Sequence, residues 1–114
     1  RILPIASRIT RLDFIQRIAF MAHNKPYLAN SSIFSSGASS ENMIVISSVN
    51  GRLDTVYRVR AALVNLAALA RKMPVFRRFK GEANLTFYDL GKMLGFKKIT
   101  VSDGRKYTYQ IHLK

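Results

Sequence analysis

Three cations lie close together near residue 80, and their spacing is suited to binding phosphate. Arg77, Arg78 and Lys80 lie among apolar residues that include Phe76 and Phe79. Guanidinium and ammonium groups bind phosphate oxygens through charge-assisted hydrogen bonds. If the two phenylalanines are buried, they fix the segment and leave the cations facing a partner. A solvated connector between two elements fits the same spacing, because runs of charge are usually solvated faces.

The charge of the whole chain favours a phosphate-rich partner. The 114 residues contain 19 Lys and Arg against 6 Asp and Glu, a formal net charge of +13. Self-repulsion of this kind destabilises a compact state, so we expect a polyanionic partner to neutralise it. Nucleic acid is the first candidate and an anionic membrane surface the second. Hydrophobic residues make up 48% of the chain, which predicts one folded domain over residues 1–114.

Residues typical of catalytic and metal sites are sparse. The chain has no cysteine, and His23 and His112 are not spaced as local metal ligands. It contains neither a glycine-rich phosphate loop nor a nucleophile elbow. We therefore expect a binding protein rather than an enzyme, with no metal and no cofactor. The alternatives are a basic nuclease-like enzyme, with Asp89 and a histidine as the pair, and a free-standing nucleic-acid-binding module.

The sequence argues against a membrane partner. No apolar run approaches the roughly 18 residues that a membrane-spanning helix needs. A helix lying on a membrane would carry its cations opposite its apolar stripe. In the longest predicted helix the cations gather at the two ends and in the segment that follows.

The first half of the chain predicts one helix and one strand. Residues 1–9 are typical of a short strand or extended arm. Residues 10–23 have a helical apolar period at Leu12, Ile15, Ala19 and Ala22, and the apolar face is widened by Phe14, Ile18 and Met21. Residues 27–42 are rich in serine and predict a mobile loop or a long hairpin tip. Residues 43–49 are β-branched and predict a buried strand.

The longest helix is predicted over residues 52–72. Its apolar residues recur at alternating spacings of three and four, which predicts one buried stripe facing the sheet. The stripe consists of Val56, Val59, Leu63, Leu66, Ala70 and Met73. Arg52, Arg58 and Arg60 lie in its first turns, where the helix dipole disfavours cations unless phosphate lies nearby.

The last third of the chain predicts three strands, at residues 83–87, 96–101 and 107–113. A loop or single turn is expected over 89–95, and Asp103-Gly104 marks a hairpin turn. The predicted fold is therefore α+β: a mostly antiparallel sheet with a long and a shorter helix packed on one face.

The segment around residue 77 resembles a known family, the universal large-subunit ribosomal protein five family, which is associated with 5S ribosomal RNA. That family carries Leu-Pro-Arg-Ile-Arg-Asp-Phe-Arg-Gly after its long helix, and residues 73–81 (MPVFRRFKG) are similar in kind. Downstream, residues 84–87 (NLTF) resemble its Asn-Tyr-Thr-Leu strand, and residues 96–99 (FKKI) resemble its Phe-Pro-Glu-Ile. Upstream, residues 24–26 (NKP) resemble its Gln-Lys-Pro helix end. The likeness spans roughly residues 10–113.

The chain departs from the family pattern in two places. The turn at residues 50–51 lies about two helical turns further from Pro74 than the family spacing. In the family a basic hairpin reaches toward peptidyl-site transfer RNA and the small subunit. Here residues 29–34 (ANSSIF) hold that place without its cations. Such drift is similar to that of organellar ribosomal proteins.

The resemblance implies a structural constituent of the large ribosomal subunit, located in the central protuberance of a mitochondrial ribosome. A plastid or cytoplasmic ribosome is the alternative location. The implied partners are large-subunit rRNA, 5S rRNA, neighbouring ribosomal proteins, peptidyl-site tRNA and a small-subunit protein. Contacts with rRNA phosphates are expected from eight cations: Arg52, Arg71, Lys72, Arg77, Arg78, Lys80, Lys97 and Lys98. The tRNA-side hairpin would consist of Asn30, Ser31, Ser32, Ile33 and Phe34.

Overall fold

The computed structural model describes residues 6–25, 28, 31–47, 53, 55–74, 76, 85–105 and 107–113. Its fold is α+β, as predicted, with a mixed four-stranded sheet and helices packed against it. The elements in chain order are α1 (Arg8–His23), β1 (Ser31–Ser36), β2 (Asn42–Ser47), α2 (Val56–Ala70), α3 (Phe87–Met93), β3 (Lys98–Ser102) and β4 (Thr108–His112).

The sheet consists of two antiparallel hairpins joined side by side. Its strand order is β1-β2-β3-β4. The β1–β2 and β3–β4 pairs are antiparallel, whereas β2 and β3 run parallel. Because parallel neighbours need a long crossover, α2 and α3 lie in the connection between these two strands.

One face of the sheet covers the core, and its centre is Phe14 of α1. The side chains of the central strands that face inward are fully buried: Met43, Val45, Ile99 and Val101. The ring centroid of Phe14 lies 6.1–6.2 Å from those of Phe76, Phe87 and Phe96. Its contact with Phe76 is edge-to-face, a favoured geometry for aromatic pairs.

The first helix begins earlier than its sequence predicts. Ser7 is the N-cap and its side chain accepts a hydrogen bond from the Thr10 N–H, so residues 8 and 9 are helical rather than extended. Residues 1–5 lie outside the described part of the chain. Ile15 and Ala22 of the predicted stripe are buried, and so are Phe14 and Ile18 beside it, whereas Leu12 is exposed.

The serine-rich segment is a strand where a loop was the preferred prediction. Residues 31–36 pair with β2 along their whole length, which overrides the weak strand propensity of serine. The turn that follows is tight, with Gly37 at φ 98° and Ser40 at φ 54°. A side chain at Gly37 would be strained by the positive φ, so this turn favours glycine.

The long helix confirms the predicted period over most of its length. Val59, Leu66, Ala70 and Met73 are buried, as the stripe predicts. The predicted burial is wrong at two residues of the stripe, since Val56 and Leu63 are only half-buried. Leu63 packs at the margin of the core. The described helix starts at Val56, after the N-cap Thr55, and Arg52 lies outside the described residues.

The predicted strand over 83–87 and the loop over 89–95 are wrong in their described parts. A helix, α3, starts at Phe87, because Thr86 and Asp89 form a reciprocal capping box. The Thr86 hydroxyl accepts from the Asp89 N–H, and the Asp89 carboxylate accepts from the Thr86 N–H. The strands predicted over 96–101 and 107–113 are confirmed as β3 and β4.

Substitution of single α2 side chains by alanine tests this packing. Leu66→Ala, at a fully buried position, should lower the free energy of unfolding by about 2–5 kcal/mol, measured by chemical denaturation. Val64→Ala is the matched control on the same helix, and at 67% exposure it should change stability by less than about 0.5 kcal/mol. Equal effects at the two positions would contradict the orientation of α2.

Candidate nucleic-acid interface

The predicted phosphate-binding cations divide between described and undescribed parts of the chain. Arg71, Lys72, Lys97 and Lys98 belong to the described residues. The other four, Arg52, Arg77, Arg78 and Lys80, lie outside them and remain predictions from sequence. Of the four described cations that were predicted to bind phosphate, two lie at the C-terminal end of α2 and two lie at the start of β3.

Arg71 is fixed at the end of α2 by its backbone and its side chain. It is the C-cap residue, and its N–H donates to the Ala67 carbonyl. Its Nη1 donates to the Leu85 carbonyl at 2.6 Å, which links the end of α2 to the start of α3. The guanidinium has further N–H groups, and the residue is exposed, so it can bind an anion while keeping this contact.

Lys72 points to another side of the same helix end. Together with Arg17, Phe20 and Met21 of α1 it lines a groove of about 570 Å³. Arg71 instead lines a smaller, mostly apolar depression of about 260 Å³ against α3. The two neighbouring cations therefore do not form one cluster, although their adjacency in sequence grouped them.

The segment that follows α2 is anchored in the core at Phe76. The Met73 N–H donates to the Ala70 carbonyl, and the Phe76 N–H donates to the Met73 carbonyl. Met73 and Phe76 are both buried, and Phe76 packs on Phe14. The expectation of a buried anchor is confirmed for Phe76, while Phe79 lies outside the described residues.

Lys97 and Lys98 are held where β2, β3 and β4 meet. The Lys97 N–H donates to the Glu41 carbonyl at 2.7 Å, and its carbonyl accepts from the Leu113 N–H at 2.8 Å. These bonds fix the backbone of Lys97 on both sides and leave its side chain exposed. Lys98 lies in register with Asn42 and His112, in one row across three strands. This row places a fixed cation beside polar side chains.

Arg11 is a buried cation that sequence reasoning missed. Its side chain donates to the Ser39 carbonyl through Nε and Nη2, at 3.2 and 2.9 Å, and to the Leu94 carbonyl through Nη1 at 3.1 Å. Gly95, at φ 88°, lies so close that a side chain there would meet Nη1 at 2.6 Å. Arg11 thus joins α1, the β1–β2 turn and the end of α3. A cation on the apolar face of a helix is the signal that would have marked it.

The described carboxylates all accept local hydrogen bonds. Asp13 pairs with Arg17 at 2.8 Å, and Glu41 accepts from the Ser39 N–H in the β1–β2 turn. Asp89 caps α3, and Asp103 accepts from the N–H groups of Arg105 and Tyr107 in the β3–β4 turn. Among the described residues, none of these carboxylates forms a salt bridge with Lys72, Lys97 or Lys98.

The residues predicted to form a tRNA-side hairpin lie on an edge strand. Ser31, Ser32, Ile33 and Phe34 belong to β1, and Asn30 lies outside the described residues. Ile33 faces the core, whereas Ser32 and Phe34 are exposed on the opposite face.

Neither a metal site nor a membrane span is found in the described ranges. These residues contain no group of three His, Asp or Glu side chains that could hold a metal ion. None of the described helices has the length and apolar character needed to cross a bilayer.

Removal of the buried guanidinium tests its role in this scaffold. Arg11→Met should leave the Ser39 and Leu94 carbonyls without their donor and cost about 1–3 kcal/mol of unfolding free energy. Arg17→Met, which breaks an exposed pair on the same helix, should cost no more than about 1 kcal/mol. Urea denaturation of both variants measures the difference, and a smaller loss for Arg11→Met than for Arg17→Met would contradict the assignment.

Comparison with known proteins leaves the family of this chain open. Protein-family models, curated proteins and solved structures were each compared with it, and none of the three comparisons found a match. The function must therefore be argued from charge, geometry and the likeness of motifs.

Proposed function

We propose that this protein is an RNA-binding structural constituent of the large ribosomal subunit. It binds folded rRNA through phosphate contacts and has no catalytic activity. The observation that carries the proposal is the combination of a net charge of +13 with described carboxylates that all serve local structure.

The hydrogen bonds made by the described carboxylates support a binding role over a catalytic one. A nuclease-like site needs acidic side chains that are free to hold a metal or move a proton. Asp89, the residue considered for that role, caps α3 through bonds with Thr86. The carboxylates that could neutralise surface cations are also few, so the field of the chain stays positive and attracts a polyanion.

The positions of the described cations support recognition of folded RNA by its shape. The Arg71 side chain is held by its bond to the Leu85 carbonyl, and the Lys97 backbone is held by its bonds to Glu41 and Leu113. Holding these residues in place reduces the freedom that is lost when they contact phosphate. Arg71 and Lys72 lie at the end of α2 and line different depressions, and Lys97 and Lys98 lie at the start of β3. Cations spread over several surfaces suit a large folded polyanion better than a small ligand. Backbone contacts position a protein without reading sequence, and folded RNA is recognised mainly by its shape.

The ribosomal part of the proposal rests on the likeness of residues 73–81 to the ribosomal family. In this chain Pro74 follows α2 within four residues, and Phe76 is anchored in the core. A cationic segment that leaves such an anchor is suited to face rRNA. The loss of cations from the β1–β2 hairpin supports a mitochondrial ribosome, with the central protuberance as the site of assembly.

A salt titration tests the RNA-binding part of the proposal. Replacement of Lys72, Lys97 and Lys98 by alanine should weaken binding to a structured large-subunit rRNA fragment. Each lost phosphate contact should also lower the slope of log K against log salt by about 1, because fewer counterions are released. Fluorescence anisotropy at several salt concentrations measures both quantities.

A charge-matched control separates specific contacts from the loss of net charge. Arg8, Lys25 and Lys92 are exposed cations that we do not assign to the interface. Their triple alanine variant removes the same charge and should retain most of the affinity and slope. Equal losses in the two triple variants would refute the assigned positions, and unchanged binding in both would refute phosphate binding by these cations.

A sedimentation experiment tests the ribosomal part separately. The tagged full chain should co-sediment with large ribosomal subunits in a mitochondrial extract and stay with them at moderate salt. Migration with free RNA or with small subunits alone would contradict the ribosomal assignment while leaving RNA binding intact.

A further inference from the structure

We infer that the free edge of β1 is a docking site for an extended segment of another protein, uncharged or acidic, which adds to the sheet as a fifth strand. This inference goes beyond RNA binding and does not depend on it. It starts from the distribution of charge. Residues 26–51 contain no Lys or Arg and one acid, Glu41, although the chain as a whole carries 19 cations. Both strands of the β1–β2 hairpin fall within this neutral stretch.

The backbone of β1 is available for pairing on one side. It is the first strand in the sheet order and pairs with β2 along all six of its residues. Within the described part of the chain, no strand pairs with its other side. In an antiparallel pair every second residue directs its N–H and C=O away from the partner strand, so half of β1 presents unpaired backbone groups outward.

β1 itself lacks three features that often prevent strand addition. Exposed edges are usually protected by a lysine, a proline or a bulge. β1 reads Ser-Ser-Ile-Phe-Ser-Ser, and its register with β2 is continuous from Ser31↔Ser47 to Ser36↔Asn42. The opposite edge strand, β4, is flanked in sequence by Lys106 and Lys114.

The side chains of β1 favour an apolar residue on the added strand. Phe34 is 42% exposed on the outer face and lies in register with Ile44 of β2. An apolar side chain on a neighbouring strand would cover the free side of the Phe34 ring, as cross-strand pairs do. Ser32 and Ser36 flank it on the same face, and their small side chains leave room for the added strand.

The charge of the chain decides between the candidate occupants. Two copies of this chain would each bring a net charge of +13, which opposes pairing with itself. RNA is disfavoured at this edge, because the hairpin offers no cation for its phosphates. A strand from another protein remains. Its backbone supplies the hydrogen bonds, and a neutral or acidic composition avoids repulsion from the rest of the chain.

A designed strand peptide tests the inference on the isotopically labelled full chain. The probe is an octapeptide of alternating threonine and valine with a glutamate at each end. Its addition should shift the amide resonances of Ser31–Ser36 and slow hydrogen exchange at every second residue there. N-methylation of the probe's alternate amides in one register should abolish binding, whereas methylation of the other set should leave it intact, because only one set faces β1.

Matched variants at the two edges provide the control. Ser32 and Phe34 lie in the same two cross-strand rows as Thr108 and Gln110 at the β4 edge. S32K/F34K should weaken probe binding by about tenfold or more, since edge lysines block strand addition. T108K/Q110K adds the same charge to the other edge and should have little effect. Both sets of positions are exposed, so the fold should survive.

Three outcomes would overturn the inference: absence of binding at millimolar probe, equal loss in both lysine variants, and shifts centred on β4. Dimerisation of the free chain at micromolar concentration, abolished by S32K/F34K in sedimentation, would assign the edge to a second copy and also overturn it. None of these results bears on RNA binding by Lys72, Lys97 and Lys98.

Discussion

Burial of the Phe14 ring is the contact on which the rest of this structure depends. Phe14 belongs to α1, and its three aromatic neighbours come from separate parts of the chain: Phe76 after α2, Phe87 at the start of α3 and Phe96 before β3. One ring therefore joins α1 and α3 to the segment that follows α2 and to the residues that precede β3. One turn earlier on α1, Arg11 extends the same junction through its bonds to the Ser39 and Leu94 carbonyls.

This aromatic junction holds the backbone on which the proposed interface cations lie. Phe76 secures the segment that follows α2, and Phe96 precedes Lys97 and Lys98 directly in sequence. With 6 acids against 19 cations, carboxylates can pair with only a minority of the basic side chains, so the fold must be stabilised mainly by other contacts. Aromatic packing and bonds from Arg11 to backbone carbonyls meet this requirement, because both leave the surface cations open to phosphate.

The sequence predicted the fold class and the elements with a clear period, and it failed where tertiary contacts decide. The stripe of α2 and the strands β2, β3 and β4 could be predicted, because their apolar residues recur with the period of the element. β1 could not, since serine has little strand preference and the pairing with β2 creates the strand. At α3 the capping pair Thr86 and Asp89 starts a helix where a strand and a loop were predicted.

The sequence predicted which residue types form the candidate site, but it did not predict where their side chains lie. An excess of cations is visible in the sequence, but adjacent residues such as Arg71 and Lys72 line different depressions. The buried role of Arg11 was also hidden, because its partners are backbone carbonyls far along the chain. The neutral stretch at 26–51 contains β1, whose outer side is unpaired among the described strands, and the sequence did not predict this edge.

The central claim is that this protein presents two fixed cationic places to folded RNA and keeps its neutral edge away from it. Amide chemical-shift mapping with a structured rRNA fragment at physiological salt tests this claim most directly. The account predicts that the largest changes occur at Arg71, Lys72, Lys97 and Lys98, while Ser31–Ser36 remain unchanged. Changes confined to Ser31–Ser36, or none at saturating RNA, would contradict it.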